Sequence, residues 1–123
     1  MNHRNYHALE KPLVGRVVAL GKRLYEVSVL PPKRMQHEYV CFMLNDCRLL
    51  FKYAMRQLKG KNYVDRAYEL VEEIQADAYY VHSLGGWSKK VAYSIDCLCD
   101  DILGEFPQNA RVIKSTDENK SVK

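Results

Sequence analysis

Apolar residues recur at steps of three and four positions along four segments of this 123-residue chain. Such spacing places them on one side of an α-helix, because a helix turns once in about 3.6 residues. The four apolar stripes, in chain order, are Leu13, Val17, Leu20, Leu24 and Val27; Val40, Met43, Cys47, Leu50 and Ala54; Ala67, Leu70, Val71, Ile74, Ala78 and Val81; and Val91, Ile95, Leu98, Ile102 and Phe106. No alternating pattern typical of a strand competes with them. The sequence therefore predicts an all-α fold.

Residues that start or stop helices predict where the four segments begin and end. The first helix is predicted over about 12–29, and the second over about 34–59. Asn62 is predicted to cap the third helix, with an acidic residue three positions on, and Ser88 is predicted to cap the fourth. The predicted breakers are Pro31, Pro32, Gly60, Gly85, Gly86 and Pro107. Each interrupts helical backbone, either by lacking a donor or by accepting left-handed dihedral angles.

Short loops between amphipathic helices favour an antiparallel up-down four-helix bundle. We predict one such domain over 9–106, preceded by a flexible N-terminus at 1–8. Residues 107–123 are polar and carry no apolar period, so we predict a disordered tail there. No apolar run approaches the roughly 20 residues needed to cross a bilayer, and the first residues lack the apolar core of a secretory signal. We therefore expect a cytoplasmic protein that makes no membrane contact.

Charge divides the chain into a basic first half and an acidic second half. Residues 1–61 carry twelve Lys and Arg against four Asp and Glu, whereas residues 62–106 carry three against nine. The respective net charges are +8 and −6, although the whole chain is only +4. Clustered cations release counterions when they bind phosphates, so the first half is a candidate polyanion-binding face. The alternative is that helices of opposite sign simply pack beside one another.

The second helix is predicted to concentrate these cations on the face opposite its apolar arc. Steps of four, four and three bring together Arg48, Lys52, Arg56 and Lys59. Further candidate phosphate contacts are Lys22, Arg23, Lys33 and Arg34. Such groups would meet phosphates without reading sequence.

A second apolar seam on the same helix, formed by Phe42, Leu49 and Tyr53, exceeds what one bundle core requires. It predicts a contact between subunits of an oligomer. A wide core-facing surface is the alternative explanation. The nine tyrosines raise a similar choice, because they either stack on bases or lie at the rim of the core. They include Tyr25, Tyr39, Tyr53, Tyr79 and Tyr80.

No catalytic or metal-binding motif is present in the sequence. Carboxylate-bridged metal sites in bundles require Glu-x-x-His on two helices, and the chain has none. The four cysteines form no Cys-x-x-Cys pair, and the predicted helix turns Cys97 and Cys99 about 200° apart. The four histidines have no evident nucleophile partner, and Gly85-Gly86 lacks the Lys-Ser/Thr of a phosphate loop. We expect a protein that is not an enzyme and that needs no metal or cofactor.

The order of short motifs along the chain points to a family. The motifs are Tyr25 to Pro31 before the basic loop Pro31-Pro32-Lys33-Arg34, Leu-Asn-Asp-Cys-Arg-Leu-Leu at 44–50, Lys-Gly-Lys-Asn at 59–62, Tyr-Glu-Leu-Val-Glu-Glu-Ile at 68–74, and Ile-Leu-Gly-Glu-Phe at 102–106. In this order they resemble a four-helix-bundle family that spans about 9–106. That family includes proteins encoded in intervening sequences of 23S ribosomal RNA genes, and accessory variability determinants of diversity-generating retroelements.

This resemblance implies a ring-like homo-oligomer, a pentamer, with a positively charged surface. In the retroelement members that surface engages a reverse transcriptase and nucleic acid, and the accessory supports mutagenic copying of template RNA into cDNA without polymerising. The acidic third and fourth helices depart from the most basic members, which favours contact through one face or an acidic side that docks a basic partner. The alternative is an intervening-sequence-type bundle, an oligomer with a structural or interaction role.

Overall fold

The structure, a computed structural model, describes residues 11–106, and these residues form four helices and no strand. The predictions of a flexible 1–8 and a disordered 107–123 lie outside the described residues. Helix α1 is Pro12–Val27, α3 is Lys61–Ser83 and α4 is Lys89–Gly104. Helix α2 is continuous but has three parts, Lys33–Met35, a π-helical turn at Gln36–Val40, and Cys41–Met55. The all-α prediction is confirmed for this part of the chain.

The four helices surround a single apolar core. Helix α1 packs against α2 and α4, and α3 packs against the same two helices from the other side. The predicted stripes of α1, α2 and α3 are buried throughout. In α4 the buried set is instead Ile95, Cys99 and Ile102, while Val91 and Leu98 are only half-buried. Position 99 satisfies the same helical spacing as position 98, so the sequence pattern alone did not decide which of the two faces inward.

Helix α2 ends four residues earlier than predicted, at Met55 rather than at 59. Gln57 and Leu58 have positive φ angles of 54° and 52°, which are left-handed conformations that cost non-glycine residues about 1–2 kcal/mol each. Burial of the Leu58 side chain, which is only 8% exposed, offsets this cost. The chain therefore leaves α2 through a compact left-handed turn instead of a last helical turn.

The predicted cap of α3 is also wrong, whereas the predicted cap of α4 is confirmed. Gly60 occupies the N-cap position of α3 with φ 85° and ψ 153°, so the helix begins at Lys61 and Asn62 is already inside it. Only glycine adopts such angles readily, which is why the backbone rather than a side chain sets this helix start. At α4 the Ser88 hydroxyl accepts the backbone N–H of Val91 at 3.2 Å.

The turn between α3 and α4 locks Trp87 into the core. Gly85, with φ 84°, donates to the His82 carbonyl and Gly86 donates to the Val81 carbonyl, as in a Schellman helix end. Trp87 follows, 2% exposed, and its indole N–H donates to the Val27 carbonyl at 2.9 Å. This bond ties the end of α1 to the turn between α3 and α4. Trp87, the one tryptophan of the chain, belongs to none of the apolar stripes, so helical spacing did not predict its burial.

None of the helices in the described part of the chain combines the length and the apolar character needed to cross a bilayer.

Candidate nucleic-acid interface

Three predicted cations share the outward face of α2. All three are exposed, and together Arg48, Lys52 and Arg56 form the basic ridge. Arg56 immediately follows the last helical residue as the C-cap. Successive members are four residues apart, which corresponds to a rise of about 6 Å along the helix axis. The ridge therefore presents positive charge at regular intervals over roughly 12 Å.

The ridge keeps its charge within the described residues. Arg48 donates weakly to the Asn45 amide oxygen at 3.4 Å. Arg56 donates to the Tyr63 hydroxyl at 3.0 Å, and its guanidinium carbon lies 5.4 Å from the centre of that ring. These partners are neutral, and no ion pair joins the ridge to a carboxylate in 11–106. The interactions orient Arg48 and Arg56 without neutralising them.

Lys59 does not extend the ridge as predicted. Because α2 ends at Met55, Lys59 lies in the turn to α3, where it borders a shallow depression with Lys61, Asn62 and Tyr63. Its side chain is exposed, but its position is set by the turn and not by helical spacing. The four-residue helical stripe is therefore corrected to three.

Of the other four predicted cations, only Lys22 is brought beside the ridge. Lys22 of α1 lines the same groove as Arg48. Arg23 is half-buried on the side of α4, where its Nε donates to the Ser94 hydroxyl at 2.9 Å. Lys33 and Arg34 start α2, about 20 Å from Arg48 along the helix axis.

Arg34 is paired as well as distant. Its Nε lies 3.0 Å from the Glu38 carboxylate, and that hydrogen bond is the main cause that raises the pKa of Arg34. The pair is exposed, so it contributes little to stability. Glu38 nevertheless gives Arg34 a carboxylate partner, whereas no carboxylate of residues 11–106 pairs with the ridge.

A groove between α1 and α2 opens beside the ridge and has a volume of about 600 Å³. Its deeper lining is apolar and includes Val18, Gly21, Leu44 and Phe51. Its exposed margin carries Lys22, Tyr25, Glu26 and Arg48. Tyr25 as a whole residue is 75% exposed. Sequence spacing placed these residues on two separate helices and could not show that the helices leave a space between them.

Within residues 11–106, opposite charges pair between α1 and the end of α4. Arg16 lies 3.6 Å from Asp101 of α4 and 3.0 Å from Glu105, the residue that follows this helix as its C-cap. On α3, Arg66 pairs with Glu69 at 3.2 Å and with Glu73 at 3.7 Å. The alternative explanation of the charge division thus holds for Arg16, but it does not account for the ridge.

Asp46 of α2 faces an acidic set on α3. Partial burial raises the pKa of Asp46 to about 6, and repulsion from Glu73 and Asp77 adds to this, whereas Arg66 opposes it. Burial and the Glu73 charge also raise the pKa of Asp77. The two sides of α2 therefore differ in electrostatic character, with the ridge on one side and crowded carboxylates on the other.

The predicted oligomer seam is not a continuous exposed surface. Phe42 is 59% exposed, but Leu49 and Tyr53 pack against the core. The Tyr53 ring also lies 5.2 Å from the Tyr63 ring, measured between centroids. Leu49 and Tyr53 thus fit the alternative of a wide core-facing surface, and a subunit contact through Phe42 stays a prediction.

The cysteines and acidic groups form no metal site in the described part of the chain. Cys47 and Cys99 are buried and Cys41 is exposed, and all of the cysteines are free thiols. Burial raises the pKa of the Cys47 thiol to about 11, so this thiol is neutral and unreactive at pH 7. These observations place the buried cysteines among the packing residues.

Comparison with models of known protein families, with curated proteins and with solved structures finds no match for this chain.

Proposed function

We propose that this protein is a non-catalytic accessory of a diversity-generating retroelement, as the family resemblance implies. In this role it holds RNA or cDNA on the basic ridge, engages a reverse transcriptase, and supports mutagenic copying without polymerising nucleotides itself. The observation that carries the proposal is the ridge, an exposed row of three cations that no carboxylate of residues 11–106 neutralises.

The ridge suits a phosphate backbone better than a base sequence. Arg48 and Arg56 offer planar forks of donors, and Lys52 offers a compact charge between them. Contacts of this type fix a strand in place but carry no sequence information. In the proposed role, specificity would come from the reverse transcriptase and its template. The acidic surface of α3 and α4 would be the side on which a basic protein partner docks.

The fold and assembly that accompany this function are also part of the proposal. The connections between helices in 11–106 are only a few residues long, which favours neighbours that run in alternate directions as an up-down bundle. The family resemblance adds a ring-like pentamer. Five copies would repeat the ridge around the ring, which would raise the affinity for a long strand through multivalency.

Charge reversal tests the proposal directly. The variant Arg48→Glu, Lys52→Glu, Arg56→Glu should lose retention of single-stranded RNA at 0.1 M salt. A matched control, Lys11→Glu, Lys89→Glu, Lys90→Glu, changes the net charge by the same amount at exposed lysines elsewhere. The control should retain most of its RNA affinity. Equal loss in both variants would mean that only net charge matters, and unchanged retention by the ridge variant would refute the proposal.

The second candidate is an intervening-sequence-type bundle that acts through protein contacts alone. Exposed aromatic residues favour it, since Tyr79 is 71% exposed and Tyr93 is 67% exposed, and both line a depression between α3 and α4. A neighbouring reverse transcriptase gene with near-duplicated template and variable repeats would favour the first candidate, and their absence the second. Solution mass with and without RNA at two ionic strengths would test assembly and RNA binding together.

A further inference from the structure

We infer that the groove between α1 and α2 is a pocket for an unstacked nucleobase of a single strand whose phosphates follow the basic ridge. This inference rests on the proposed function and adds the class of ligand, a single strand with accessible bases rather than a duplex. Arg48 belongs to both features, because it is a member of the ridge and also lines the groove.

The size and lining of the groove fit a base. A volume of about 600 Å³ lies within the usual range of small-ligand pockets. The deeper residues Val18, Leu44 and Phe51 are apolar and half-buried, so a flat aromatic ring would cover surface that now faces water. Tyr25, 75% exposed at the margin, supplies an aromatic face on which a base can stack.

Gly21 keeps this space open. It lies on the α1 wall of the groove, and a Cβ atom built there would meet only Cys47 Sγ, at 3.6 Å. Because Gly21 and Cys47 both line the groove, we expect a longer side chain at position 21 to fill part of it. Gly15, on the same helix, has nothing within 4 Å of its corresponding position and is not part of the groove lining.

The charges at the margin favour a nucleotide over an apolar peptide helix. Lys22 on α1 and Arg48 on α2 stand on opposite walls, whereas Glu26 is the acidic residue of the lining. A base that enters between two cations brings its own phosphate to them, and Arg can also stack on the base. A second copy of the chain or a partner helix would be a different occupant of the groove, and binding measurements with and without bases distinguish it from a nucleobase.

The test compares two strands and two pairs of variants. The probes are a fluorescent single-stranded oligonucleotide of mixed sequence and an abasic strand of the same length and charge. Wild type should bind the base-bearing strand about tenfold more tightly than the abasic one, since stacking of one base is worth that much. Gly21→Leu should remove the difference by lowering affinity for the base-bearing strand alone, whereas Gly15→Leu should preserve it.

Two further variants, each at an exposed tyrosine, test the pocket without depending on a substitution that could disturb folding. Tyr25→Ala should lower affinity for the base-bearing strand roughly five- to tenfold. Tyr79→Ala, which truncates a tyrosine of similar exposure on α3, should leave affinity unchanged. Both exposed positions tolerate truncation with little effect on stability.

Each outcome has a separate meaning. Equal binding of the two strands by wild type, with the salt dependence of a ridge contact intact, would overturn the pocket but leave the proposed function standing. Failure of wild type to bind either strand would overturn both. If Gly21→Leu instead changes the mass of the protein in solution and leaves the strand preference intact, a second copy occupies the groove and the inference is wrong.

Discussion

Replacing Asp46 by Asn should stabilise the protein at neutral pH, although it removes a charged residue from a partly exposed position. Partial burial and the neighbouring carboxylates raise the pKa of Asp46 to about 6, from a usual value of 3.8. The folded state therefore holds the Asp46 proton more tightly than the unfolded state does. The stability that the tighter proton binding of Asp46 contributes is fully present below pH 4, and it is lost as the pH rises through about 6.

The size of the stabilisation by Asp46→Asn follows from the rise in the pKa of Asp46 and from the exposure of its side chain. A rise in the pKa of Asp46 from 3.8 to about 6 corresponds to at most about 3 kcal/mol. Asp46 is only partly buried, so solvent screening reduces the expected effect to about 1 kcal/mol. At pH 7 Asp46→Asn should raise the midpoint of thermal unfolding by roughly 4–8 °C, as expected for a domain of about 100 residues. Below pH 4 the two proteins should unfold at nearly the same temperature.

Thermal unfolding followed by circular dichroism between pH 3.5 and pH 7.5 measures this difference. Asp65→Asn is the control, since Asp65 is an exposed carboxylate in the first turns of α3. A stabilisation by Asp46→Asn that does not depend on pH, or a destabilisation at pH 7, would refute the reasoning. A destabilisation would mean that Asp46 makes a favourable contact in its charged form that outweighs its repulsion by Glu73 and Asp77. A stabilisation that does not depend on pH would mean that the ionisation of Asp46 is not its cause.

Two further predictions concern the turns. Gly60→Ala should destabilise the protein by about 1–3 kcal/mol because of the φ of 85°, whereas Gly15→Ala, inside α1, should stabilise it by about 0.5–1 kcal/mol. Urea unfolding measures both changes in the free energy of unfolding. Equal changes for the two variants would contradict the left-handed conformation of Gly60. Trp87→Phe should cost about 2 kcal/mol through the lost bond to Val27 and the lost volume. In thermal unfolding, the exposed Tyr79→Phe should change stability by under about 0.5 kcal/mol, and a similarly small effect at Trp87 would contradict its structural role.

Helical periodicity predicted most of the fold because burial follows it closely. Every predicted stripe residue of α1 to α3 is in the core, and Ser88 caps α4 as expected. The helix ends were less predictable, since backbone angles decide them. Gln57 and Leu58 adopt left-handed angles that their residue types disfavour, and contacts that form only in the folded chain offset this cost: Leu58 is buried, and the Gln57 side chain donates to the Ala54 carbonyl at 2.9 Å.

The candidate site was predictable where it depends on one helix and unpredictable where it depends on two. Spacing placed Arg48, Lys52 and Arg56 on one face of α2, and all three are exposed in the structure. The position of the Arg23 side chain depends on α4, because Ser94 of that helix accepts its hydrogen bond. The groove likewise depends on how closely α1 and α2 approach, which no single-helix pattern contains.

The salt dependence of binding tests the ridge most directly, because it counts phosphate contacts separately from every other contribution to affinity. Single-stranded RNA binding by wild type and by the Arg48→Glu, Lys52→Glu, Arg56→Glu variant should be measured from 50 to 300 mM salt. Three ridge contacts predict that the slope of log affinity against log salt is steeper for wild type by about 2. Equal slopes for the two proteins would show that the ridge does not contact the strand.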